Sequence, residues 1–405
     1  MEANNNTIYH EMNKIQKEKL LLEEQNKKRR RRLTILGITL CLCLFSIINM
    51  ISASFFMKAS NIPKHLIYIL MFLFIYMFGG NMRFGGKNYR FLGEGKTILF
   101  IFGTSMAILL FMFIGASIGV SFIPKINGAY GWINLGPVSI QPAEILKIAF
   151  IIIAAKILGY CEDKQANQKQ IILYSGVILF VFGALIFAQQ DLGTVIHYIA
   201  IWLFMLFISG IDRRLILGAV SVGLSIGGSA LYYIYKHASE EGAGYKIMRI
   251  KSYVDGLLFD EFSEKYGYQV KQSVLAFGSG GVFGKGYSNG VQKYSYLPEI
   301  HTDFVMATFG EEFGIQGMFI VILLFFWLFS TIMRSGMETK NNFGKYLCVG
   351  VAGLIMTQMI INIFVAIGLL PVFGIPMPLF SYGGSSMVTM GLALAIVQNI
   401  NKDEG

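Results

Sequence analysis

Charge is scarce in this chain: of its 405 residues only 14% are Asp, Glu, Lys or Arg, where a water-soluble domain carries nearer a quarter. Histidine and cysteine are scarcer still. The five histidines, His10, His65, His197, His237 and His301, lack the spacing of metal ligands, which argues against a zinc site. The four cysteines, Cys41, Cys43, Cys161 and Cys348, avoid the polar stretch 236–303, so a disulfide framework is not expected. Runs that alternate apolar and polar residues are missing too, which excludes an outer-membrane barrel. The chain has apolar length instead. Hydrophobic residues make up 54% of it, mean hydropathy is +0.57, and stretches such as LTILGITLCLCLFSIINMISASFF are apolar on every face. This is the composition of an all-α polytopic membrane protein.

Against a hydrocarbon core of about 30 Å, ten transmembrane helices are expected, near 33–57, 65–82, 97–123, 143–160, 171–189, 194–210, 215–235, 304–333, 346–368 and 377–399. An even number puts both termini on one side. Much of the net charge of +10 is one run, Lys27 to Arg32, directly before the first span, and it reads as a topology signal rather than a nucleic-acid patch. The loops on that side add Arg83, Lys87, Arg90, Lys96, Lys164, Lys169, Arg213, Arg214, Arg334 and Lys340, whereas the short loops opposite keep Lys58, Lys64 and Lys125. Both termini are therefore expected in the cytoplasm. Residues 1–32 read as a basic, mostly disordered tail, residues 33–400 as the membrane domain, and 401–405 as a cytoplasmic end; no cleavable signal peptide is expected. A large extracytoplasmic loop, 236–303, is expected between helices 7 and 8.

Under this topology the unusual sequence collects on the outer face, as suits chemistry on a substrate with its head group in water and its tail in lipid. In SYLPEIHTDFVMATFGEEFG, Asp303 opens a span. A carboxylate there could accept a proton from a sugar hydroxyl or could cap the helix, and spacing leaves the two even. Glu311 stands eight positions on, about 12 Å along a helix, too far for a glycosidase-type pair with Asp303. Glu311 and Glu312 inside an apolar span are nonetheless functional or paired. In GWINLGPVSIQPAEILKIAF, Glu144 and Lys147 share a helical face; they form a neutralising ion pair or leave Lys147 to hold a pyrophosphate. Trp132 suits an interfacial anchor. The long loop supplies Arg249, Lys246, Lys251, Gln269, Gln272, Lys285 and Lys293. Its GSGGVFGKG run fails as a nucleotide loop, since no strand precedes it and no Ser or Thr follows Lys285, and reads as flexible backbone.

Several long motifs occur in order: GWINLG with QPAEILK, QQDLGT, GYQVKQSVLAFGSGGVFGKG, QKYSYLPEIHTDF with GEEFG, and LLPVFGIPMPLFSYGGSS. In these the chain resembles the SEDS family of peptidoglycan glycosyltransferases (FtsW, RodA and SpoVE) over roughly residues 33–400. GYQ, the QK before YLPE, and GEEFG look most like the FtsW, or division, branch. The resemblance implies an outer-face active site that polymerises lipid II, the undecaprenyl-pyrophosphate-linked disaccharide pentapeptide, in the bacterial cytoplasmic membrane beside a class B penicillin-binding protein and other cell-wall membrane proteins. It implies that Asp303 is the essential aspartate and catalytic base of an inverting transfer. Substrate binding would fall to Glu144, Lys147, Trp132, Arg249, Gln269, Gln272, Lys285, Ser381 and Ser385, with cationic side chains or a divalent cation, Mg2+ or Mn2+, steadying the pyrophosphate. One departure stands out: relatives often place an arginine or other polar residue before the tryptophan, where this chain has Tyr130-Gly131. A lipid II flippase, an elongation polymerase of the RodA kind and a recruiting scaffold are the rival readings.

Overall fold

The computed structural model describes residues 2–54, 61–82, 88–126, 128–136, 138–237, 245–259, 261–263, 267–294 and 296–402. These form twelve α-helices: α1 (Glu2–Ser54), α2 (Asn61–Gly79), α3 (Gly95–Ile118), α4 (Pro142–Asp163), α5 (Gln168–Ala188), α6 (Leu192–Ile208), α7 (Arg213–His237), α8 (Tyr245–Phe259), α9 (Tyr268–Gly280), α10 (Val305–Met337), α11 (Asn342–Ala366) and α12 (Gly384–Ile400). One two-stranded hairpin, β1 (Ile133–Asn134) with β2 (Ser139–Ile140), pairs antiparallel and leads into α4. Each of the ten expected spans coincides with a helix, α1 to α7 and α10 to α12.

Seven of these helices are long and apolar enough to cross a membrane unaided. Of the other three, α6 and α12 are apolar but have only 17 residues each, and α4 carries ionisable residues within its length. The helices turn large apolar side chains outward: Leu99, Phe180 and Leu224 are 72%, 74% and 72% exposed. Water would not tolerate so much apolar surface, and lipid does. The chain is a multi-pass helical membrane protein.

Helix α11 is the axis of the bundle, packed against α4, α6 and α10, with 78% of its apolar window buried. Small residues allow the close approach that helices in lipid need. A Cβ on Gly350 would lie 2.4 Å from Ile151 of α4, and one on Gly353 would lie 2.6 Å from Phe204 of α6. The four cysteines are free thiols in this structure.

Three expectations are refined. The tail continues the first span as helix, α1 running unbroken from Glu2. The span supplies a preformed helical nucleus, and i, i+4 pairs such as Glu24–Lys28 at 3.1 Å continue it. The expected large loop 236–303 carries helices. It contains α8 and α9, and Tyr253 of α8 docks by donating its hydroxyl proton to the Leu369 carbonyl at 2.7 Å.

The third refinement concerns α10 and the glycine run. Gly314, at φ +67° and ψ −170°, breaks α10 into residues 305–313 and 315–337. The second segment alone reaches about 34 Å at about 1.5 Å per residue and can cross the bilayer by itself. The glycine run fills the break rather than flexing. Lys285 and Gly286 donate backbone N–H to the carbonyls of Glu311 and Glu312, both at 3.0 Å, and Ile315 and Gln316 donate to Gly281 and Val282 at 3.0 and 3.1 Å. A Cβ on Gly284 would meet the Glu312 carbonyl oxygen at 2.1 Å, so only glycine permits this contact.

Because a Cβ on Gly314 would sit 2.4 Å from the Gly284 nitrogen, in a backbone conformation that alanine resists, Gly314→Ala is expected to destabilise the protein by about 2–4 kcal/mol. Thermal unfolding in detergent checks this; an unchanged midpoint would refute the packed-break description.

Candidate functional site

Asp303 lies in a non-helical turn, residues 301–304, directly ahead of α10. The N-cap of α10 is Phe304, which makes no side-chain capping bond, so Asp303 does not hold the N-cap position. Such a turn exposes carbonyls that no helix satisfies. Here three consecutive carbonyls are each fastened from outside. Tyr382 N–H donates to His301 at 2.7 Å, the Ser381 hydroxyl donates to Thr302 at 2.6 Å, and the Asn362 amide donates to Asp303 at 2.9 Å.

The same Asn362 amide donates to Ile375 at 2.8 Å, and Ser381 accepts from Met377 N–H at 2.7 Å. The Asp303 turn and the segment LLPVFGIPMPLFSYGGSS are thereby one clasped unit. Gly374, at φ +73°, lies against the half-buried Asp303, its Cβ position 3.8 Å from Oδ2. His301, two residues earlier, is held below the usual imidazole range by burial, and it is neutral at neutral pH.

A second cluster surrounds the start of α4. Pro142 occupies the first turn, and Glu144 sits where the helix dipole favours a carboxylate. Lys147 Nζ donates to Glu144 Oε1. Lys147 is 0% exposed and Glu144 3%, so Lys147 faces no groove and is spent on its partner. The neutralising-pair reading is the one this geometry supports. Gln141 N–H donates to Ser385 Oγ at 2.9 Å, and its side-chain amide donates to Asp191 Oδ2 at 3.0 Å. Asp191 in turn caps α6 through Thr194 N–H at 3.0 Å.

The departure at Tyr130-Gly131 lies beside this network: a Cβ on Gly131 would come within 3.2 Å of Asp191 Oδ2. Trp132 follows, half-buried, at the mouth of the hairpin.

Glu311 and Glu312 organise the third cluster. Glu311 accepts from Lys285 at 2.7 Å and from the N–H groups of Val291 and Gln292 at 2.9 and 3.0 Å. Glu312 accepts from Lys293 at 2.6 Å, Ser52 at 2.5 Å and Ser288 N–H at 3.1 Å. The two acids belong to the loop scaffold, and Lys285, paired with Glu311, keeps 30% of its side chain exposed.

Of the expected site residues, then, the structure pairs Glu144 with Lys147, ties Ser381 to the Asp303 turn through the Thr302 carbonyl, and ties Ser385 to Gln141 at the start of α4. Ser381 and Ser385, four residues apart, tie the two clusters together. Gln269 and Gln272 are half-buried one turn apart on α9, and Arg249 falls in α8 with its side chain outside the described residues. Asn362, Gln141 and Asp191 were not singled out in the sequence. Asp191 lay within QQDLGT, which was visible as a motif, whereas Asn362 sits in an apolar run with nothing to mark it. Among the described residues no three His, Cys, Asp or Glu side chains converge to hold a metal ion.

The family described as cell cycle proteins, FtsW, RodA and SpoVE, matches residues 32–405. The chain belongs to this family. It is 37% identical over 283 residues, 68% of each chain, to a protein of Haemophilus ducreyi named peptidoglycan glycosyltransferase FtsW. A protein of the same name from Haemophilus influenzae is 34% identical over 310 residues, 75% of this chain and 73% of the relative. Among solved structures, a chain of a peptidoglycan synthase complex that coordinates polymerization and crosslinking superposes with TM-score 0.71 at 20% identity, covering 91% of this chain and 97% of that one. Rod shape determining protein RodA of Thermus thermophilus gives TM-score 0.63 at 20% identity, covering 91% and 96%. At that identity the structures speak for the shared family fold.

The ion pair Glu312–Lys293, with both side chains 1% exposed, yields a test. Removing one partner leaves the other charged and buried, so Lys293→Met is expected to cost about 3–5 kcal/mol. Adding Glu312→Gln to Lys293→Met should restore part of the loss. If thermal unfolding shows the two substitutions simply additive, the pair is not the anchor described here.

Proposed function

We propose that this chain is a peptidoglycan glycosyltransferase that polymerises lipid II into glycan strands in cell division, with Asp303 as its catalytic base. The observation that carries the reading is the clasp on the Asp303 turn. Three consecutive carbonyls are immobilised by α11 and the 370–386 segment while the carboxylate is left beside Gly374 at the turn's edge. A base must be held within hydrogen-bond reach of the proton it removes, and here the backbone clasp fixes the turn that carries it. The FtsW names of the relatives support the reaction class and the division role.

In this account the chain crosses the cytoplasmic membrane ten times with both termini in the cytoplasm, and residues 236–303 with the Asp303 turn lie on the outer face. The Lys and Arg bias of the loops supports that orientation. The acceptor's sugar 4-hydroxyl loses its proton to Asp303 as its oxygen attacks the anomeric carbon of the donor. The bond to undecaprenyl pyrophosphate breaks, and that group leaves with the electron pair. Inversion follows from the single displacement, and no nucleotide is needed because the donor is already activated.

With Lys147 buried against Glu144, the charge that meets the pyrophosphate falls to the loop cations, Arg249 of α8 foremost, since a guanidinium can contact two phosphate oxygens at once. Trp132, Gln269 and Gln272 are the remaining candidates for sugar and head-group contacts. Glu144, Lys147, Ser381 and Ser385 hold the frame that carries them. A class B penicillin-binding protein is the expected partner, in keeping with the synthase complex whose chain shares this fold.

Asp303→Asn keeps size and hydrogen bonding but cannot act as a base. It is expected to fold normally and to form no glycan strands from labelled lipid II, with or without the partner. Wild-type turnover in that variant would remove the assignment. Failure of the wild-type protein to polymerise, together with transfer of lipid II across liposomes, would favour the flippase reading.

A further inference from the structure

The face that carries both termini has a cavity of its own, far along the bundle from Asp303. Its volume is about 100 Å3, well above the roughly 10–15 Å3 that one water occupies on the same measure. Four separate stretches wall it. The tail part of α1 contributes Glu24, Lys28 and Arg31, which share one helical face by their spacing of four and three. Arg90 comes from the turn before α3, Glu338 and Lys340 from the link between α10 and α11, and Asn401 from the end of α12.

Four cations thus meet two carboxylates. Lys28 pairs with Glu24 and Arg31 with Glu338, and among the described lining residues cations outnumber carboxylates by two. The C-termini of α10 and α12 end here and bring carbonyl charge of about half an electron each, less than that excess. Asn401 adds a donor of a different kind. It is 4% exposed, and its side-chain Nδ2 finds no acceptor among the described residues. A buried donor without an acceptor is costly, and beside lysines and arginines the chemistry that answers it is an oxyanion.

We propose that this cavity binds a phosphate-bearing anion, and that the anion fastens the tail helix to the bundle. The cavity's level suggests the source. Apolar sequence begins at Leu33 in α1 and ends at Met337 in α10 and Ile400 in α12, so the cavity lies where phospholipid phosphates sit, and a lipid headgroup reaches it more directly than a soluble phosphate. Guanidinium and ammonium groups together supply the fork and the point charges that a phosphate takes.

The test uses the full-length protein in phosphatidylcholine vesicles containing phosphatidylglycerol, with retained lipid counted by native mass spectrometry. Phosphatidylglycerol is expected to remain bound in preference to phosphatidylcholine. The double variant Arg90→Gln/Lys340→Gln should lower retention by about tenfold or more. Arg29→Gln/Arg30→Gln removes the same charge from exposed positions outside the cavity and should change retention little. Asn401→Ala, which removes a donor and no charge, should also weaken it. If inorganic phosphate displaces the lipid at millimolar concentration, the site stands and its source is a soluble phosphate; if the lipid resists, the source is the headgroup. Equal losses in the two double variants, or no preference between the two lipids with no phosphate binding, would overturn the proposal.

Discussion

A backbone that leaves regular structure at the edge of a membrane must still satisfy its carbonyls and amides, and the rest of this architecture follows from how that demand is met at two places. Around Asp303 the answer comes from outside the turn, as Tyr382, Ser381 and Asn362 each supply one donor to one of three successive carbonyls. At the broken helix α10 the answer comes from the glycine run, whose amides and carbonyls complete the ladder that Gly314 interrupts. Both solutions are rigid. They turn an irregular surface of the protein into a fixed platform, which a reaction between two lipid-linked sugars requires.

Buried charge is handled by the same economy of structure. Glu144 takes Lys147, Glu311 takes Lys285, and Glu312 takes Lys293. Each carboxylate also stands where one chain segment must be held against another, or where a helix begins. Six ionisable residues of the motifs are therefore committed to the frame.

Apolar length revealed ten of the twelve described helices because it is a local property. Asp303 was visible as a carboxylate opening a span, and Glu144 with Lys147 as neighbours one turn apart. The helix of the tail and α8 are not legible in the sequence because propensity says little about a helix stabilised by continuation from a span or by docking, and Arg249, Lys251 and Asp255 interrupt the apolar pattern of α8. Ser381 and Ser385 each bond a partner far away in sequence, Thr302 and Gln141, and nothing local encodes such a pairing. Asn362 was invisible for the same reason.

The central claim is that Asp303 serves as a base on a turn whose position the backbone clasp sets. Its most direct test is the turnover of lipid II by Asn362→Asp, measured alongside lipid II affinity and thermal stability. The variant keeps the shape of the side chain, but at neutral pH it replaces the amide donor with a carboxylate facing the Asp303 and Ile375 carbonyls. The account predicts a folded protein that binds lipid II nearly as well as wild type and turns it over about a hundredfold more slowly. Wild-type turnover, or a loss confined to lipid II affinity, would contradict it.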